Sequence, residues 1–276
     1  MYKIFVLNFC LLFSGCSGQS LHKNNFIRTI STYNEVNFGE ISSTEILVLF
    51  DVDETLIQPE DTYLINEHSE EGKKFRYALL KKYSQFKDWD SIAGILLKEA
   101  KRPFIEDSIT SKVESLKKRN ITLLAIAGMN TGKYWPYDAL EEWRYEQLKA
   151  LGFEGSYNNT TFNIREFKKN PVFFKGIIAT DLEDKGEVLG IVSDKLRRKF
   201  KLVIMFDDDI NFLHSVSKEC QRRNITFQGY HYQGAKKKIW NQELITFQAD
   251  YLVKHRKWLD DATATKILKS VKKRKK

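Results

Sequence analysis

The chain has 276 residues, of which 42% are hydrophobic, 13% aromatic and 29% charged, with 14 glycines and 4 prolines. It can bury a full core, which excludes a disordered, collagen-like or low-complexity polymer, and its mean hydropathy of -0.44, with no long apolar run after the first fifteen residues, excludes a polytopic membrane protein. The net charge is +9, but seven positives fall within Lys266 to Lys276, which holds no acid, and the rest of the chain carries only +2; the charge therefore gives no basis for a nucleic-acid groove, and the tail over 263–276 reads either as a solvated terminus or as a contact for anionic lipid or polyanion.

In chain order, Lys3 precedes an apolar run from Ile4 to Phe13 and then Ser14, Gly15 and Cys16. A short apolar run closed by small residues predicts an export signal over 1–18. The end of it resembles a bacterial lipoprotein lipobox, with Phe13 where Leu is usual, so Cys16 is a candidate for lipidation. The alternative is an uncleaved hydrophobic anchor. Export makes the expected location periplasmic, secreted or membrane-anchored. Only Cys220 remains beyond Cys10 and Cys16, so no internal disulfide is expected after cleavage.

Ile46 to Phe50 is a continuous apolar run ending at Asp51, the pattern of a strand buried on both faces. Residues 57–104 then read as mostly helical, with Phe75, Leu79, Tyr83 and Phe86 at helical spacing. This insertion is expected to roof the strand ends. Ser108 is expected to cap a helix whose Ile109, Val113 and Leu116 share one face. Ile121 to Ala127 is the next buried strand. A helix over about 137–151 stops at Gly152, and residues 171–180 read as extended. A helix from Gly186 to about Lys199 leads into a strand at Leu202 to Phe206, which ends at Asp207. Leu213, Val216 and Cys220 mark a helix, Ile225 to Tyr232 a strand, and Trp240, Leu244, Phe247 and Tyr251 a last amphipathic helix. This alternation predicts an α/β fold, a doubly wound, mostly parallel Rossmann-like sheet formed by 40–56 and 105–262, with a small helical cap at 57–104.

Two strands end in acids: Asp51, Asp53 and Glu54 after the first, and Asp207, Asp208 and Asp209 after the later one. Ligands bind beyond the carboxyl ends of such strands, and clustered carboxylates repel one another unless a cation compensates. Hard oxygen ligands suit Mg²⁺. The segment Leu49-Phe50-Asp51-Val52-Asp53-Glu54-Thr55 resembles the first motif of the haloacid dehalogenase (HAD) superfamily, an apolar strand followed by Asp-x-Asp-x-Thr. Lys185 and the pair Asp207 and Asp208 stand where that superfamily has its third and fourth motifs. The second motif departs: Ala127 stands where a Thr or Ser hydroxyl belongs, and Asn130 and Thr131 just beyond are the candidate substitutes. Further matches at Phe174 to Ile177, Lys185 to Leu189, Gly229 to Tyr232 and Lys257 to Leu259 resemble an uncharacterised HAD-like bacterial family with many exported members, a domain of unknown function.

The resemblance implies a phosphohydrolase acting on a small phosphate monoester through an aspartyl-phosphate. It makes Asp51 the nucleophile, Asp53 the acid and base, and Lys185 the cation that offsets phosphoryl charge. Mg²⁺ would sit among Asp51, Asp53, Asp207 and Asp208, with Thr55, Asn130 and Thr131 toward the substrate. The competing expectation is a HAD-fold binding or effector protein without turnover, motivated by Ala127. A DxD glycosyltransferase is a third reading, and it leaves Lys185 and the second acidic strand unexplained. The five histidines have no ligand spacing, and His231 reads as packing.

Overall fold

The computed structural model describes residues 25–38, 43–85 and 88–274. The expected export signal, Cys16, Phe86 and the start of the core at residue 40 lie outside the described residues. Eight strands, β1 (Phe26–Ile30), β2 (Ile46–Asp51), β3 (Thr122–Ala127), β4 (Thr161–Asn163), β5 (Val172–Phe174), β6 (Ile177–Ala179), β7 (Leu202–Asp207) and β8 (Thr226–Tyr232), form one sheet. Its order is β1-β8-β7-β2-β3-β6-β5-β4. Every pair from β1 across to β6 is parallel, and β5 and β4 add an antiparallel edge. The expected α/β class and mostly parallel sheet are therefore present.

The helices are α1 (Thr62–Ile65), α2 (Glu70–Lys82), α3 (Trp89–Glu99), α4 (Ser108–Lys118), α5 (Leu140–Ala150), α6 (Lys185–Lys195), α7 (Ile210–Arg222), α8 (Gln242–His255) and α9 (Asp261–Arg274). Among the described residues no helix is long and apolar enough to cross a membrane. The central strands alternate between two apolar layers because successive side chains point to opposite faces. Ile46, Val48 and Phe50 of β2 join Ile109, Val113 and Leu116 of α4 and Tyr145 and Leu148 of α5. Leu47 and Leu49 join Val188, Leu189 and Val192 of α6 and Leu213, Val216 and Cys220 of α7. Burial on both faces is why these strands read as unbroken apolar runs. Phe50, Phe206 and Tyr230 stack across β2, β7 and β8 with ring centroids 5.0 Å apart at each step, a cross-strand ladder that pins register.

The helix ends follow from local chemistry, with one correction. Ser108 does not cap α4: it is the first helical residue, Asp107 precedes it, and the Ser108 hydroxyl donates to Glu106 instead. Asp184 caps α6 by accepting from the Glu187 amide, and Asp209 caps α7 by accepting from that of Asn211. Gly152 follows α5 with a φ of +96°, the left-handed stop expected there.

The insertion leaves and re-enters the sheet body through a narrow antiparallel stalk. The Gln58 amide donates to the Pro103 carbonyl, and the Glu60 amide to that of Lys101. Above the stalk, Tyr63, Leu64, Tyr83, Ile92 and Ile95 pack against Ile245, Leu252, Val253 and Trp258. Thus α8 and Trp258, expected within the sheet body, share an apolar cluster with the insertion. The expected stripe of Leu244, Phe247 and Tyr251 faces α9 instead, meeting Ala264, Ile267 and Leu268. The basic C-terminal segment is thus a helix with a buried side, and its lysines at 266, 269, 272 and 273 lie away from that side.

Candidate functional site

Parallel pairing brings the carboxyl ends of β2 and β7 side by side, with Phe50 opposite Phe206. The next residue on each strand is acidic, so Asp51 and Asp207 are neighbours on one face, the face covered by α6 and α7. Lys185, the first residue of α6, reaches between them, with Nζ 2.6 Å from Asp51 Oδ1 and 2.8 Å from Asp207 Oδ2. All three are buried, Lys185 to 1% exposure and Asp207 to 0%. A cation is disfavoured at a helix N-terminus; two carboxylates hold this one there, and its Nζ also sits 4.0 Å from the centre of the Phe212 ring.

The other acidic residues divide their work. The Asp208 amide donates to Thr55 Oγ1, whose hydroxyl lies 3.3 Å from Asp208 Oδ1, so buried Thr55 ties the two acidic loops together. His231 Nε2 lies 3.0 Å from the Asp208 backbone carbonyl. Asp53 is not part of the Asp51 cluster, and its Oδ2 accepts from Arg144 Nη2 at 2.8 Å.

The substitutes proposed for the second motif lie just beyond the end of β3. Thr131 Oγ1 donates to the Asn170 carbonyl at 2.8 Å, and Asn130 is exposed beyond β3. Ala127 lies in the α4 and α5 layer, whereas Asp51 is registered with Ile126, a member of the opposite layer. A hydroxyl at 127 would therefore point away from Asp51. Gly128 follows the last residue of β3, and a Cβ there meets open space.

The sequence profile of a family described as a protein of unknown function, DUF2608, matches residues 27–265. The chain belongs to this family. A protein of Rickettsia bellii (strain RML369-C), described as uncharacterized, is 21% identical over 246 residues, covering 84% of each chain. No solved structure matches.

In this DUF2608 chain the electrostatics of the site are unbalanced. Asp51, Asp207 and Asp208 each offer an oxygen within 4.8 Å of the others, against the single charge of Lys185. Burial raises the Asp51 carboxyl above its ordinary range, while Lys185 opposes that rise. Burial, then repulsion from Asp51, pushes Asp207 up to about 8 and Asp208 up to about 7. Burial works against the charge on Lys185, but Asp51 and Asp207 outweigh it and its pKa is raised. A divalent cation would relieve this repulsion, and three carboxylates supply the hard oxygen donors it needs. The Asp53 carboxylate is outside that cluster.

Two arginines are the functional candidates that sequence reasoning missed. Arg144 of α5 is 5% exposed. Its signal was present, since Leu140, Arg144 and Leu148 share one helical face and a charge inside an apolar stripe is unusual. Arg102, at the foot of the stalk, had none. The insertion also supplies Glu67 and His68, which act electrostatically on Glu54.

Proposed function

We propose that this protein is a Mg²⁺-dependent phosphomonoester hydrolase of HAD type, with Asp51 as nucleophile. The observation that carries the reading is the buried arrangement of Asp51, Lys185 and Asp207, with Asp208 alongside, at the adjoining ends of two parallel strands. A phosphoryl group resists attack by a carboxylate until its negative charge is offset. Asp51, Asp207 and Asp208 would hold Mg²⁺, which offsets charge on the phosphoryl oxygens and the attacking carboxylate. Lys185 holds Asp51 in place and adds a second positive charge on the same face. Asp51 attacks phosphorus and the ester oxygen departs, leaving an aspartyl-phosphate. Asp53, two residues on, donates a proton to the leaving oxygen and then takes one from the water that releases phosphate. Thr55 keeps the two acidic loops in register.

The test is hydrolysis of an aryl phosphate by the mature chain, with Mg²⁺ and with EDTA, beside Asp51→Asn. Activity that needs both the metal and Asp51 is the expected result; activity untouched by Asp51→Asn would overturn the mechanism. A second reading, a binding or effector protein of the same fold, is favoured by the end of β3, where neither Ala127 nor Gly128 carries a hydroxyl. It expects Mg²⁺ to raise the melting temperature without hydrolysis of any phosphate ester. The sequence pattern of residues 1–18 adds export to either reading, and Cys16 or the lysines of α9 are the candidate contacts to a membrane.

A further inference from the structure

Arg144 and Arg102 both act on Asp53; Arg144 is ion-paired with it and lies 4.8 Å from the centre of the Trp143 ring, and each arginine keeps hydrogen-bond donors unused. Arg144 Nη2 donates to Asp53 and Nη1 to Gln147 Oε1, each at 2.8 Å. Its Nε–H is buried and has no hydrogen-bond partner among the described residues. A buried donor left unpaired is costly, and more so on a charged group. Arg102 reaches only backbone carbonyls, with Nη1 3.3 Å from that of Ala100 and 3.5 Å from that of Leu97. Burial, then repulsion from Arg144, lowers the Arg102 pKa, against the attraction of Asp53 and Glu67. Glu67 is shared in turn, since His68 and Arg76 also act on it. A cleft of about 350 Å³ opens between the stalk and α5, lined by Glu60, Lys101, Arg102 and Gln147 among others; Arg144 stands behind that lining and reaches it through its hydrogen bond to Gln147.

Two desolvated guanidiniums with unused donors describe a receptor for a planar or tetrahedral oxyanion. The phosphoryl position at Asp51 already has Lys185 and the carboxylate cluster, so this second cationic centre is not needed for the reacting phosphate. We propose that Arg102 and Arg144 bind a second anionic group on the ligand, so that the substrate class is a phosphomonoester that also carries a carboxylate or a second phosphoryl group. This inference rests on the phosphohydrolase reading of Asp51. Arg144 joins the two sites, because the hydrogen bond that holds Asp53 comes from the same guanidinium that faces the second anion.

The test measures binding of non-hydrolysable probes to the full mature chain in Mg²⁺ by calorimetry. The probes are ethylphosphonate, 3-phosphonopropionate and 1,2-ethanediphosphonate. The wild-type chain is expected to bind at least one of the two bifunctional probes about tenfold or more tightly than ethylphosphonate, the scale of a charge-assisted pair. Whichever probe gains identifies carboxylate or phosphoryl as the second group. Arg102→Gln is expected to collapse that preference toward one. Equal binding of all three probes by the wild-type chain overturns the inference without need of any variant. A preference that survives Arg102→Gln overturns the assignment to this pair. Failure of the phosphohydrolase reading looks different: no phosphonate binds and aryl phosphate is not hydrolysed, and the inference falls with it.

Discussion

Lys185 is the residue on which the buried charges of the site balance. Replacing it with methionine leaves Asp51 and Asp207 facing one another without a counter-charge. Breaking a buried pair in this way costs about 3–5 kcal/mol. The expected outcome for Lys185→Met is a loss of that order in urea unfolding at about pH 9, above the Asp207 value of about 8. The loss shrinks at about pH 5, where the two carboxyls take up protons. An equal loss at both pH values would contradict the charge argument. Asp208 gives a second prediction. Its folded pKa of about 7 lies above the unfolded carboxyl value, as does the value of about 8 for Asp207. The folded chain therefore keeps protons that the unfolded chain has released, and this contribution to stability is full on the acid side and is lost as pH rises through the folded values. Unfolding in EDTA is expected to show falling stability from about pH 5 to about pH 8, with a flatter profile in Asp208→Asn. An unchanged profile in that variant would count against the role of Asp208. Asp51, Lys185, Asp207 and Asp208 were all legible in the sequence, because each comes directly after a buried run or at a helix start. The partner of Asp53 was not, because Arg144 lies ninety-one positions away and only the packing of α5 brings it back.

At the scale of elements, α3 and the loop after β3 decide how the insertion is held. A Cβ on Gly94 would stand 2.0 Å from the Trp135 carbonyl oxygen and 2.7 Å from its indole. The helix can approach the aromatic loop only because residue 94 has no side chain. Gly94→Val is expected to destabilise by about 1–3 kcal/mol, as other overpacked contacts do. The strain falls on the insertion, so limited proteolysis should cut within 60–100 well before the sheet body is attacked. Uniform cutting along the chain would show that α3 is not held in this way. A second tie is Trp258, whose Nε1 donates to buried Asp61 at 2.8 Å. Trp258→Phe leaves that carboxylate one donor short and is expected to cost about 1–3 kcal/mol, measured by thermal unfolding. The helical nature of 57–104 was readable from spacing. That α8 completes this bundle was not, since Ile245, Ala249, Leu252 and Val253 share one helical face but their spacing does not name the distant segment they pack on.

For the whole molecule, the sheet body and the helical bundle meet where the acids of β2 and β7 emerge. Charge repulsion there is a standing cost of the metal-free protein, and ligand binding to the folded state alone must offset it. Mg²⁺ is expected to raise the melting temperature, more at about pH 8 than at about pH 5 because the carboxylates are then ionised. EDTA should reverse the rise, and Asp208→Asn should weaken it. A melting temperature indifferent to Mg²⁺ at both pH values would remove the metal from the proposed chemistry.

The sequence by itself determined the α/β class, the buried parallel strands, the insertion and the acids at two strand ends. Those features depend on local period and on which residue type closes a hydrophobic run, and both are written along the chain. Only the tertiary structure decided which face each strand-end residue occupies. Register set Asp51 beside Ile126 and sent Ala127 to the opposite layer, so the residue that looked like a missing hydroxyl is not on the site's side at all. It likewise decided that Arg144 reaches back to Asp53, and that α8 packs on the insertion. These are contacts between segments far apart in sequence, and no periodicity along the chain encodes which buried surface meets which.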